Sequence, residues 1–168
     1  MKRTADGMRL RFKGKSGVVH DIALHSARLA RLAQRCKELP GQELFQYLDA
    51  EGAVHDVDSG MVNDYFRAAC GGDFTSKDMR TWIGSARCTD LLLGNGTVET
   101  KTACTACINE TLDRVAHQLG NTRAVCRSHY VHPGILTSFE QGTLPEFGKG
   151  VRADRNPFGL DRAEKVLL

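Results

Sequence analysis

Between Thr75 and Pro133 the chain carries a succession of helix starts and stops that leaves room for little except packed helices. Thr75-Ser76-Lys77-Asp78 is a polar helix start, and the segment behind it runs to about Leu93 before Gly94-Asn95-Gly96 breaks the chain. Residues 98–118 read as a long helix, although their β-branched threonines weaken the propensity. Asn121-Thr122 starts another, and Pro133, whose fixed φ suits a first helical turn, opens one more after Tyr130. Upstream the period changes. Met8 to Lys13 and Val18 to Leu24 alternate about Gly14-Lys15-Ser16-Gly17, the pattern of a β-hairpin with Lys15 at its tip. Ser26 caps a helix that places Leu29, Leu32 and Ala33 on one face and arginines on the other, ending before Leu39-Pro40-Gly41. Asp58-Ser59-Gly60 begins a further helix with Val62, Tyr65 and Phe66 as its apolar stripe. Gly142 to Pro157 reads as loop, and Leu160 to Leu168 as a short final helix. The pattern predicts an α+β chain, mainly α with a small β-hairpin.

Length and composition agree with a single domain: 168 residues, of which 41% are hydrophobic, suffice for one core. No apolar run approaches the roughly 20 residues of a membrane span, and the basic start lacks a signal-peptide core, so a cytoplasmic protein without membrane contact is expected. The six cysteines lack the spacing of a small secreted framework and are expected to be reduced. Cys104-Thr105-Ala106-Cys107 has the spacing of half a zinc site, but no second pair stands at a suitable distance; it reads as two packed small side chains, and no metal is expected. The net charge of +3 is unevenly spread. Within the first forty residues ten Lys and Arg stand against three Asp and Glu, which suits a phosphate-backbone surface and equally a solvated basic face.

Four local blocks point further. Leu10-Arg11-Phe12-Lys13-Gly14-Lys15-Ser16-Gly17 with His20, then Leu39-Pro40-Gly41-Gln42-Glu43-Leu44-Phe45-Gln46-Tyr47, then Phe74-Thr75-Ser76-Lys77-Asp78-Met79-Arg80-Thr81-Trp82, and last Leu119-Gly120-Asn121-Thr122 through Tyr130-Val131-His132-Pro133 follow one another in that order. Their order and wording resemble the catalytic domain of bacterial, poxvirus-like type IB DNA topoisomerases. The third block is similar to the family's K-D-x-R-T-[WY] signature, and the nine-residue step from Asn121 to Tyr130 is the family's. The likeness covers roughly residues 8 to 140, which assigns residues 1–141 to the catalytic domain and 142–168 to a tail with a short helix.

What the resemblance implies is specific. The fold would be the DNA breaking-rejoining core shared by type IB topoisomerases and tyrosine recombinases. Tyr130 matches the nucleophile that attacks a phosphodiester of duplex DNA and becomes joined to the 3′-phosphate. Lys15 matches the acid that protonates the departing 5′-oxygen, a role open to an ammonium whose pKa neighbouring cations depress. Arg80 matches an arginine that grips the non-bridging oxygens, where a planar fork of donors meets growing charge. Asn121 stands where many relatives carry histidine, and its amide can donate to the same phosphate. Arg11, Lys13, Lys77 and Arg127 are the expected contacts to the DNA backbone. The phosphotyrosyl bond conserves the ester energy, so relaxation of supercoils needs neither ATP, metal nor other cofactor. A monomer acting on nucleoid DNA is expected.

Two features depart from the family. Its members carry another active-site arginine upstream of the hairpin lysine, behind an amino-terminal clamp; only fourteen residues precede Lys15, so the chain is expected to begin inside the catalytic domain. Arg123 stands where relatives often have proline. Two alternatives stay open at this level. A tyrosine recombinase shares the nucleophile but typically presents H-x-x-R where this chain has Lys77-Asp78-Met79-Arg80, and a catalytically impaired remnant would bind DNA without cutting it.

Overall fold

The computed structural model describes residues 2–4, 6–14, 17, 19–40, 43–156 and 159–168. Lys15, with Ser16, Val18, Gly41 and Gln42, lies outside them. The chain forms two compact units, residues 1–71 and 72–168.

In the amino-terminal unit β1 (Lys2–Arg3), β2 (Met8–Lys13) and β3 (Val19–Leu24) form an antiparallel sheet in that order. The expected hairpin is β2–β3, in register from Met8 opposite Leu24 to Lys13 opposite Val19. Its apex is closed by a Gly17 N–H donating to Gly14 O at 3.2 Å, and Gly17 has φ 75°, which its lack of a side chain permits. Ser26 caps α1 (Ala27–Lys37) by accepting from Leu29 N–H, as its sequence foretells. The buried face of α1 differs from the expected one. Ala30 and Ala33 meet Met8, Leu10 and Leu24, whereas Leu29 and Leu32 are 49% and 56% exposed. Small residues win here because the sheet lies close above them.

A second hairpin, β4 (Gln46–Leu48) and β5 (Val54–Asp56), was not anticipated. Its strands are too short to show alternation. Asp49 builds the turn: one carboxylate oxygen accepts from Glu51 and Ala53 N–H, and the other lies 2.6 Å from His55 Nε2. The expected helix after Asp58 is α2 (Ser59–Cys70), capped by Asp58 and ended by left-handed Gly71. None of its residues is buried; Tyr65, placed on the apolar stripe by periodicity, is 71% exposed.

The carboxy-terminal unit is helical: α3 (Ser76–Asn95), α4 (Lys101–Leu119), α5 (Arg123–His129), α6 (Pro133–Glu140), α7 (Leu144–Phe147) and α8 (Arg162–Leu167). A reciprocal capping box starts α3, with the Asp78 carboxylate accepting from Thr75 N–H and Thr75 Oγ1 accepting from Asp78 N–H. Thr100 and Thr122 cap α4 and α5, and left-handed Gly120 ends α4. Leu92 and Leu112, with no exposed surface, centre a core that includes Cys88, Ile108, Val115, Cys126, Ile135 and Phe139. Each such leucine contributes about 1.5–3 kcal/mol relative to exposure.

The segment expected as a loop contains α7, and the short final helix expected after Leu160 is α8, which packs on α3 with Ala163 buried. No helix among the described residues is long and apolar enough to cross a membrane.

Candidate functional site

Tyr130 sits at the carboxy-terminal end of α5, held mainly through its backbone. Its N–H donates to Cys126 O at 3.0 Å, and the same carbonyl accepts from Val131 N–H at 3.1 Å. On the other side α3 approaches within contact of the Tyr130 carbonyl. That approach depends on Gly84: a β-carbon there would lie 2.5 Å from Tyr130 O and 3.3 Å from a Leu119 methyl. The next residue, buried Ser85, donates to Tyr130 O at 3.5 Å and accepts from His132 N–H at 3.0 Å. Thr81 Oγ1 lies 3.3 Å from His129 O and 3.1 Å from Lys77 O, one turn back. Thr81, Gly84 and Ser85 thus fix the Tyr130 turn against α3.

Arg80 and Asn121 meet at one atom. Leu119 is the last residue of α4, whose terminal carbonyls lack partners within the helix. Arg80 Nη2 donates to Leu119 O at 2.6 Å, and Asn121 Nδ2 donates to it at 3.1 Å. The Arg80 guanidinium also lies over the Tyr130 ring, 5.0 Å from its centroid, within cation–π range. Three of the four residues expected to act on phosphate therefore converge, although they lie up to 50 positions apart in the chain. The fourth, Lys15, falls outside the described residues. Asn121 is not the α5 cap, a role that Thr122 fills. Its amide is thereby left to serve Leu119 O. Two donors gathered on a single oxygen, beside an aromatic ring whose hydroxyl forms no hydrogen bond among the described residues, can be redirected to an anionic oxygen brought to the same place.

The neighbouring histidines have other duties or none visible. His132 caps α6, its Nδ1 accepting from Gly134 N–H at 3.2 Å. His117 and His129 are exposed near helix ends. Arg123, unexplained by sequence, forms a forked pair with Asp113 of α4 at 2.7 and 2.5 Å and so ties α5 to α4. That guanidinium holds the Asp113 carboxyl below the usual carboxylate range.

Of the expected DNA contacts, Lys77 and Arg127 are exposed in the carboxy-terminal unit and form no ion pair among the described residues. Arg11 and Lys13 share a face of β2 with Arg9, whose guanidinium is taken by Asp21 at 2.5 Å. With Lys37, Glu43 and Asp56 they line a cleft of about 900 Å3 within the amino-terminal unit, so its charge is mixed rather than wholly basic. The cysteine pair is explained by packing: Cys104 is buried and Cys107 Sγ accepts from Asn95 Nδ2 at 3.1 Å.

These features define a helical core in which Arg80, Asn121 and Tyr130 converge, and comparison with known proteins gives its family. The chain belongs to the DNA topoisomerase I family, whose model, described as eukaryotic DNA topoisomerase I, catalytic core, matches residues 2–142. It is also 28% identical over 145 residues to DNA topoisomerase 1B of Acanthamoeba polyphaga mimivirus. That match takes in 82% of this chain but 43% of the viral protein, so the chain spans less than half the length of that relative.

Proposed function

We propose that this chain is the catalytic part of a type IB DNA topoisomerase of the poxvirus-like, bacterial branch. It cleaves one strand of duplex DNA through a 3′-phosphotyrosyl intermediate and reseals it. The observation that carries this reading is the meeting of Arg80 and Asn121 at Leu119 O beside the Tyr130 ring. In the proposed reaction the Tyr130 phenolic oxygen bonds to phosphorus as the bond to the 5′-oxygen breaks. Lys15 supplies the proton that the 5′-oxygen takes up, and the phenolic proton passes to solvent. Arg80 and Asn121 turn from the carbonyl to the non-bridging oxygens, where preorganised donors are worth most because charge grows there. Resealing reverses each step. Lys77 and Arg127 hold the flanking backbone, and Arg11 and Lys13 hold it from the hairpin.

The same proposal has the protein acting as a monomer on nucleoid DNA in the cytoplasm, with an amino-terminal segment supplying the clamp and a further arginine. The test is relaxation of a supercoiled plasmid in chelator without ATP, with denaturant quenching to trap protein on DNA. Relaxation together with protein linked to the 3′ end is expected, and Tyr130→Phe should abolish the link while leaving DNA affinity unchanged. Protein still linked by the Phe variant would refute the assignment of Tyr130. If the chain binds DNA but leaves the plasmid supercoiled, the amino-terminal domain of an active relative joined ahead of residue 8 should restore relaxation. A chimera that folds and stays inactive would favour a DNA-binding remnant.

A further inference from the structure

Residues 143–168 lie beyond the family match, yet they return to α3 beside the nucleophile. The return is pinned at several points. Arg162 Nη2 donates to Gly148 O at 2.9 Å, Lys165 pairs with Asp154, and Asp154 also accepts from Leu160 N–H. At its end stands Glu164. One of its carboxylate oxygens accepts from Trp82 Nε1–H at 2.8 Å, and the other accepts from Asp161 N–H at 2.8 Å, closing the capping box that starts α8. Trp82 is two residues past Arg80 and three before Ser85, so its ring stands on the same side of α3 as the hydroxyl that holds Tyr130 O and His132 N–H. Trp82, Ser85, His132 and Leu167 of α8 line one cavity of about 580 Å3. An indole left loose beside that space could swing into it and release the Ser85 contacts. The charged acceptor on α8 holds the indole at its polar edge, through a bond stronger than a neutral one.

We infer that Glu164 is a positioning residue for the strand-cleaving step: by holding Trp82 it keeps the Ser85 clamp, and through it the Tyr130 turn, in register with Arg80. The inference rests on the reading of Tyr130 as nucleophile, but its physical link can be measured without activity. Hydrogen exchange of the Tyr130 and His132 amides reports the turn, and emission of Trp82, the sole tryptophan, reports the indole. In the full chain Glu164→Ala should speed exchange at both amides by about tenfold, the scale of losing a hydrogen bond to a charged group, and should shift the Trp82 emission. Glu164→Gln, which keeps an acceptor, should restore both. Single-turnover cleavage at saturating DNA should fall with the exchange change and recover with Gln, while DNA affinity stays constant. Faster exchange confined to α8, with Tyr130 and His132 unchanged, would overturn the inference. So would a loss of protection spread evenly over all helices, or an equal cleavage defect in the Gln variant with normal exchange. If neither the parent chain nor its chimera with a relative's amino-terminal domain cleaves DNA, the functional proposal fails and the exchange result alone decides whether Glu164 holds the Tyr130 turn.

Discussion

Gly84→Ala offers a test in which the sign of the effect is decisive. In the interior of a twenty-residue helix this change ordinarily stabilises by about 1 kcal/mol, because alanine loses less backbone freedom on folding. Here the new β-carbon would lie 2.5 Å from Tyr130 O, inside any ordinary contact distance. The Leu119 methyl at 3.3 Å can rotate aside, but the Tyr130 carbonyl belongs to backbone tied to Cys126 O from both Tyr130 and Val131. The helices must therefore separate, and overpacking of this kind typically costs about 1–3 kcal/mol. An overlap with fixed backbone belongs at the upper end, leaving a net loss of about 2 kcal/mol after the propensity gain. For a unit of roughly 100 residues that lowers the midpoint of thermal unfolding by about 10 °C. Gly94→Ala is the control, since nothing lies within 4 Å of a β-carbon there and the same helix should be unharmed. Urea unfolding followed by Trp82 emission measures both variants. A Gly84→Ala protein as stable as its parent would refute the close approach of α3 to the Tyr130 turn.

Lys15→Ala should slow cleavage of an ordinary phosphodiester far more than cleavage of one with a 5′-thiol leaving group, because a thiolate departs without a proton; equal slowing would mean that Lys15 only positions DNA. Thr89→Val should raise stability by about 1 kcal/mol in the same urea assay, since the buried Thr89 hydroxyl has no partner among the described residues and an isosteric methyl removes the unmet bond. A destabilised Val variant would show that the hydroxyl is satisfied. Native alkylation at pH 8 should label exposed Cys70 and spare Cys88, whose thiol burial pushes up to about 12. Because the folded state holds that proton more tightly, its contribution is intact below the usual thiol value near 8.5 and is lost as pH rises from there; mass spectrometry of labelled peptides checks the first statement and urea titration across that range the second.

The elements were legible wherever a local signal dictates them. Ser26, Asp58, Thr75 and Thr122 cap the helices that their side chains foretell, and the alternation on either side of Gly14 and Gly17 marks the β2–β3 pair. Burial was less legible, because periodicity says which residues share a face and not which face is covered. Leu29, Leu32 and Tyr65 have the right spacing and stay exposed, while Ala30 and Ala33 fill the narrow gap under the sheet. The convergence of Arg80, Asn121 and Tyr130 was expected from a family likeness; no spacing rule brings Arg80 and Asn121 to one carbonyl beside the Tyr130 ring. Gly84 did leave a trace, since an isolated glycine inside a helical pattern often marks a close approach. Ser85 left none. Asp161-Arg162-Ala163-Glu164 reads locally as a capping box, but nothing in it points to Trp82, 82 residues away.

The core beneath the hairpin is built from Met8, Ala30 and Ala33, while the Tyr130 turn rests on the larger body of buried leucine, isoleucine, valine and phenylalanine around α3 and α4. The two units tolerate substitution unequally. Exposed positions of the sheet can exchange charge and bulk with little penalty to folding. Positions around Gly84 and Ser85 have no such latitude, because added bulk at the first meets the Tyr130 carbonyl and loss of the second's hydroxyl frees both Tyr130 O and His132 N–H.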